Sequence, residues 1–588
     1  MKKHILLCAA LALSSFGLPS CSDILDQKPL DSYTDTAVWG DLSLAESFLN
    51  YCYLRVEAEN TNGVMFCNYT DETYHMHDYG TSTYTQGRAS CDNYNTGWTE
   101  GKGNTWSHYY GGIKLCNQLL EDIMDTPANT DSEKEWKNQI IGQGYFLRAY
   151  YYHMLYSVYG RIPLIDHTYD LDSEFKEERA DMDDVADFIV ADCDKAAELL
   201  PTVYKDASDF GRATKGAALA LKGRVLLYKA SPLFGTPSRE KWQAAADANK
   251  AVIDMNIYSL KQVSNSDEYA DLFFDSKNPE VIFEKLYDEK GIAGSSASLV
   301  MQAPAGPGNG YEGWSTWQPT YEIVELFQNA DGTPYKPAET KPFTILQTTI
   351  DPDSGEATQK EVTIQASDVN PWEGREIRLK ANILYDGMLW GYGDSNREIE
   401  LFEAGAKGVI PGKDSRTGET WWNGTKTGYN MRKFLSSHIN FYDDTVVDTT
   451  PWFFIRLAEV YLNYAECQIE LGNNAEALKY INLIRNRALL PDATGKDIRT
   501  EYERTVELMF EGQRFFDLRR WKKMEETYSK EHWPTGLKIY KLQNGTKIYY
   551  HNPEAVQQRN FDASKNYWWP IPRYELNKST LLDAAPYE

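Results

Sequence analysis

Cysteine is scarce in this chain, at 8 in 588 residues, and no two stand at the short paired spacings that hold zinc. After the first twenty residues no stretch is long and apolar enough to cross a bilayer, so the rest of the chain is not a set of membrane-spanning helices. Positive charge is short as well. Sixty Lys and Arg against 86 Asp and Glu leave a formal net charge of −26, a field that repels nucleic acid and anionic membrane surfaces unless a basic patch is gathered locally. The sequence contains no such run. Nor does it signal two carboxylates facing each other across a cleft at glycosidase separations.

What is present begins at the N-terminus. Lys2 and Lys3, the apolar run Ile5 to Leu13 and the box Leu18-Pro19-Ser20-Cys21 read as residues 1–20 of an export signal, with Cys21 as a lipidation site and start of the mature protein. The alternative is an ordinary secretory signal with an incidental cysteine. Outside Cys8 and Cys21 six thiols remain, Cys52, Cys67, Cys91, Cys116, Cys193 and Cys467. They allow fifteen pairings, and in a chain this large they are expected as core residues, free or singly bridged.

Helical periodicity recurs in pairs. Ile455, Ala458, Leu462, Ala465 and Ile469 precede the turn Gly472-Asn473-Asn474, and Ala477, Ile481, Ile484 and Ala488 repeat the spacing. The pair runs from Pro451 to Ala488, and the unit from Ile455 to Ala488 has the length of a tetratricopeptide repeat. Ile140 to Val158 and Val185 to Leu200 form a second pair. A third runs from Thr214 to Tyr228 and Trp242 to Val252, and a looser fourth joins about 42–56 to about 109–124. The expected fold is mainly α: about four tetratricopeptide-like helix pairs, over about 40–260 and 451–525, packed against an irregular, loop-rich half. Residues 21–588 are read as one domain.

Two long aperiodic insertions, about 57–108 and 264–450, are rich in Gly, Asn, Tyr and Trp, and long loops in a compact protein usually carry function. Sugar rings present apolar C–H faces and hydroxyls, which suit an exposed aromatic platform with amide or carboxylate partners. Tyr79, Tyr84, Asp92, Asn93, Tyr94 and Trp98 fit this in the first insertion; Tyr311, Trp314 and Trp317, after a Gly-rich run, fit it in the second. Trp390, Trp421 and Trp422 are weaker candidates. Trp136, Trp242 and Trp521 lie in helical patterns and are expected in the core. Asp71, Glu72, His75, His77 and Asp78 have metal-like composition without a zinc spacing, so no metal and no cofactor are assigned. Glu507, Glu511, Arg514, Asp517, Arg519 and Arg520 suit ion pairs along a helix, with Val506, Met509, Phe510 and Phe516 facing the core.

Segments spread over nearly the whole chain carry a resemblance: Gly160-Arg161-Ile162-Pro163, Gly211-Arg212-Ala213-Thr214, Asn370-Pro371-Trp372, Arg456-Leu457-Ala458-Glu459, Phe510-Glu511-Gly512-Gln513-Arg514-Phe515-Phe516-Asp517 and Trp569-Pro570-Ile571-Pro572. In order and spacing they resemble the SusD/RagB family of surface lipoproteins, although Arg161 stands where that family often has Gly or Asp. The acidic stretch after Cys21 is similar to tethers that carry such lipoproteins to the outer face of the outer membrane. The resemblance implies a non-enzymatic protein that captures an oligosaccharide and partners a SusC-like TonB-dependent transporter. Peptide capture for a similar importer, or a tetratricopeptide scaffold without a small ligand, are the alternatives.

Overall fold

The computed structural model of the protein describes residues 35–59, 63–98, 104–170, 172–287, 303–304, 313–392, 396–419, 421–438, 448–494 and 500–587. Cys21 and Tyr311 lie outside these residues.

The expected helices form: α1 Leu42–Tyr53, α2 Thr105–Asp122, α3 Asp131–Tyr159, α4 Met182–Leu199, α5 Lys215–Ala230, α6 Arg239–Asp254, α7 Leu457–Glu470 and α8 Asn474–Arg487. Their starts are chemically marked. Asp41, Asn104, Thr214 and Ser238 accept first-turn backbone N–H groups through their side chains, and Thr130 with Glu133 completes a capping box at α3. Each helix from α2 to α8 packs on its chain neighbour, and α6 meets α7 across two hundred intervening residues. The pairs therefore stack as a tetratricopeptide-like array. Small buried residues at the seams, Ala217, Ala218, Ala245 and Ala465, let the helix axes approach closely.

Short strands stitch the irregular half together: β1 Thr73–His75, β2 Val281–Lys285, β3 Trp317–Pro319, β4 Lys341–Ile350, β5 Ala357–Ala366, β6 Glu403–Ala404, β7 Trp452–Arg456, β8 Gly536–Lys541 and β9 Lys547–Asn552. β1 pairs antiparallel with β3, β2 with β7, β4 with β5 and β8 with β9, while β6 joins β8 in parallel. The expected helix start at Pro451 is corrected by β7. Trp452, Phe453, Phe454 and Ile455 are all buried, and aromatic and β-branched side chains with no polar face suit a strand roofed on both sides.

A second correction concerns the acidic and basic residues after Val506. They do not lie along one helix, because α9 Thr500–Glu507 and α10 Gln513–Arg520 are separated by a turn in which Phe510 and Gly512 take positive φ, 64° and 76°. Asp517 and Arg520 do pair along α10 at 2.8 Å, but the other partners come from across the fold. Glu507 meets Arg378, Arg456 and Arg487, while Glu511 meets Arg456 and Lys433. Burial would raise the Glu507 carboxyl, yet the three guanidiniums outweigh it and hold it far below the usual carboxylate range. Such a network costs desolvation and returns it only with all partners in place, so it locks α7, α8 and α9 to the loop half. The six remaining cysteines are all buried and free.

Candidate functional site

The pairing of β1 with β3 brings the two insertions together. Tyr74 faces Gln318 and His75 faces Trp317 in register, and the Met76 N–H extends the ladder to the Thr316 carbonyl at 2.9 Å. Beyond the ladder both chains turn sharply. Asp78, Tyr79 and Ser315 take φ of 66°, 44° and 44°, a costly conformation for side-chain-bearing residues that clusters at sites of function. The Asp78 carboxylate stabilises its turn by accepting from the Ser82 N–H, the Ser82 hydroxyl and the Thr81 hydroxyl at 2.6–2.9 Å. Burial would raise this carboxyl, but those hydrogen bonds hold it below its ordinary value.

At these turns His77, Tyr79 and Trp314 form one aromatic face. The His77 ring is stacked on Tyr79 at 6.1 Å and edge-on to Trp314 at 5.9 Å, with its Nε2 3.2 Å from the Trp314 carbonyl. Trp314 is 39% exposed. His75 also meets Tyr79, edge-on at 5.3 Å, with its Nε2 2.8 Å from the Gly63 carbonyl, and burial lowers the imidazole to a pKa of about 4. Both imidazoles thus lie against Tyr79, while the Asp71 and Glu72 carboxylates are engaged by Arg514 and the Phe510 N–H.

Beside this face lies a cavity of about 610 Å³ lined by Met76, Trp421, Trp422, Arg416, Lys426, Lys538, Glu403, Glu554 and Gln347–Ile350 of β4. Asn423 ties it to the aromatic face by donating to the Gly313 carbonyl at 3.3 Å, and buried Gln318 accepts from the Lys426 N–H at 2.8 Å while donating to the Ser315 carbonyl. Trp421 and Trp422 meet edge to face at 6.1 Å, and Trp422 is 55% exposed. An exposed indole, hydroxyls and amides from β4, and charged groups at the wall together suit a polyhydroxylated ligand.

Several expected platform residues are corrected. Tyr84 is fully buried among Tyr69, Phe515 and Trp569 and donates its hydroxyl to the Asn566 carbonyl. Trp317 is fully buried with its N–H on the Gly63 carbonyl, and Trp390 is also in the core. Trp98 is 3% exposed and lies 4.4 Å from Phe66, ring to ring. In each case the indole or phenol finds more apolar contact inside than at the surface. Asp92, Asn93 and Trp98 line a different cavity of about 630 Å³, with Tyr94, Tyr159 and Tyr574; Asp92 there pairs with Arg573 at 3.2 Å. The two cavities share no lining residue. Of the expected core tryptophans Trp242 is buried, whereas Trp136 and Trp521 are half-buried with their N–H groups on Glu46 and Glu466. His77 was overlooked as a platform member because its neighbours read as metal ligands, and nothing local in the sequence marks Arg416, Lys426 or Lys538.

Comparison with known proteins gives a consistent result. The model of the SusD family matches residues 279–587, and that of a family described as starch-binding associating with outer membrane matches residues 23–227. A curated SusD-like protein P2 of Formosa agariphila is 24% identical, with 99% of each chain covered. A SusD-like protein of Bacteroides fragilis has a solved structure that superposes with a TM-score of 0.74 at 25% identity, over 95% of this chain and all of its own. Another structure from that organism, described as a SusD-like carbohydrate-binding protein, gives 0.68 at 22% identity, over 93% of this chain and all of its own.

Proposed function

We propose, because this chain belongs to the SusD family, that it is a non-enzymatic, lipid-anchored protein of the outer cell surface that captures an oligosaccharide and passes it to a SusC-like TonB-dependent transporter. The observation that carries the reading is the strained aromatic face of His77, Tyr79 and Trp314 opening beside the Trp422 cavity. Strain of this kind costs folding free energy, and holding rings at a surface forgoes burial; both are accounted for if the rings meet a sugar. The carbohydrate binding described for one structural neighbour agrees with this. Residues 21–588 act as one unit in this reading, with Cys21 bearing the lipid.

The test is a glycan-array screen of the soluble protein lacking Cys21, followed by calorimetric titration of wild type, Trp314→Ala and Trp422→Ala at matched melting temperatures. Each variant is expected to lose about 10- to 100-fold in affinity, the cost of truncating a central aromatic. Full affinity in both rejects the site. Binding of peptides but no glycan favours the peptide importer.

A further inference from the structure

Buried cations in this protein are held by carboxylates or, at Arg375, Arg519 and Arg559, by backbone carbonyls. Arg456 meets Glu280, Glu507 and Glu511, Arg520 meets Glu466 and Asp517, and Arg224 meets Glu459. The cavity beside the aromatic face departs from that pattern. Arg416 and Lys426 line it from one loop and Lys538 from β8. Among the described residues Arg416 has only Glu403, at 4.0 Å, and Lys426 and Lys538 have no carboxylate in ion-pair contact. Lys426 instead donates to the Tyr74 hydroxyl at 3.2 Å.

Lys538 is half-buried in β8, the central strand of its sheet, and a half-buried ammonium without a counter-ion costs folding free energy. Burial lowers it below the usual lysine range, an effect that Glu403 and Glu554 only partly counter. The wall carries two carboxylates, Glu403 and Glu554, against these three cations. Glu403 is 3% exposed, and burial raises its carboxyl against the pull of Arg416 and Lys538, leaving exposed Glu554 as the other carboxylate. The chain's overall charge of −26 does not cancel this local excess, because solvent-exposed charges more than about 10 Å away are largely screened at 0.1 M salt.

We infer that the cavity selects an anionic glycan, one whose carboxylate or sulfate groups face Arg416, Lys426 and Lys538 while a neighbouring sugar face meets Trp422. The inference rests on the glycan-capture reading and narrows it to a substrate class. A guanidinium fork matches the paired oxygens of either group, and the two under-paired ammoniums supply point charges alongside it.

The experiment titrates the soluble protein with three probes: oligogalacturonate, which carries only carboxylates, a sulfated galactan oligosaccharide, which carries only sulfates, and a neutral β-glucan oligosaccharide. Titrations are run at 50 and 300 mM NaCl with wild type, Arg416→Gln and Lys426→Gln. At least one anionic probe is expected to bind tenfold or more tighter than the neutral one, to lose several-fold in affinity at the higher salt, and to lose about 3- to 10-fold in each variant. Which anionic probe binds identifies carboxylate or sulfate. Should Lys426→Gln melt early through loss of its Tyr74 contact, half-exposed Arg416 carries the comparison. Preferential binding of the neutral probe, or anionic binding indifferent to salt and to Arg416→Gln, overturns the inference and leaves glycan capture intact. Failure of all three probes, with a blank glycan array, overturns both.

Discussion

Gly97→Ala tests whether the buried Trp98 loop sets the position of the aromatic face. Gly97 has φ +91°, and a Cβ there would stand 2.5 Å from the Tyr79 carbonyl oxygen and 2.8 Å from a Val64 methyl. Facing it, Gly80 at φ +93° would place a Cβ 3.1 Å from the Gly97 nitrogen. Two costs follow. Forcing an L side chain to positive φ takes about 1–2 kcal/mol, and inserting a methyl into filled space takes about 1–3 kcal/mol more unless the neighbour moves. The neighbour is the backbone of Tyr79, already at φ 44°, so relief of the overlap displaces the ring that stacks on His77. Gly545 provides the control, with φ +88° and nothing within 4 Å of its would-be Cβ: alanine there bears only the backbone cost. Scanning calorimetry should show Gly97→Ala less stable than Gly545→Ala by about 1–3 kcal/mol, and titration with the array-selected oligosaccharide should show weakened binding only in Gly97→Ala. Equal stability of the two variants with unchanged binding would refute the argument that Gly97 positions Tyr79.

Burial, reinforced by Glu72 and Glu511 and opposed by the hydrogen bond from the Phe66 N–H, pushes the Glu59 carboxyl from 4.5 up to about 8. The folded state thus keeps a proton that the unfolded chain loses, so this group's contribution falls as pH rises from about 4.5 to 8. Glu59→Gln is accordingly expected to be more stable than wild type at pH 8, by on the order of 4 kcal/mol, and nearly equal to it at pH 5 in thermal melts; the reverse order at pH 8 would contradict this. Ala465→Trp, at a fully buried seam position of α7, should destabilise the array by about 1–3 kcal/mol or more, seen as a lower denaturation midpoint. Trp98→Ala should also destabilise the protein, by about 3–5 kcal/mol, because it empties a core position against Phe66; an unchanged melting temperature would return Trp98 to the surface. Cys21→Ala should release the protein from the outer-membrane fraction, and its retention there would remove the lipid anchor from the reading.

The helices were legible because periodicity, caps and turns are local. Thr130 with Glu133, Gly472-Asn473-Asn474 and the alanine spacing of α7 and α8 need no distant partner to be recognised. The same local logic misplaced the start of α7, since the signal that made Trp452 to Arg456 a strand is its partner β2, far upstream in the chain. The two long insertions were also legible, as aperiodic segments rich in aromatics. Which aromatic would face out was not. Trp98 and Trp314 sit in similar polar surroundings along the chain, yet one is packed on Phe66 and the other is held at the surface beside His77.

Composition and periodicity therefore determined an acidic protein of paired helices and where its long loops lie, because charge totals and short-range periodicity are properties of the chain itself. Tertiary structure alone decided the candidate site. The β1–β3 ladder joins His77 to Trp314, and Lys538 of β8 meets Arg416 and Lys426 of a loop more than a hundred residues upstream in one cavity. Exposure and proximity depend on what the rest of the fold has already covered.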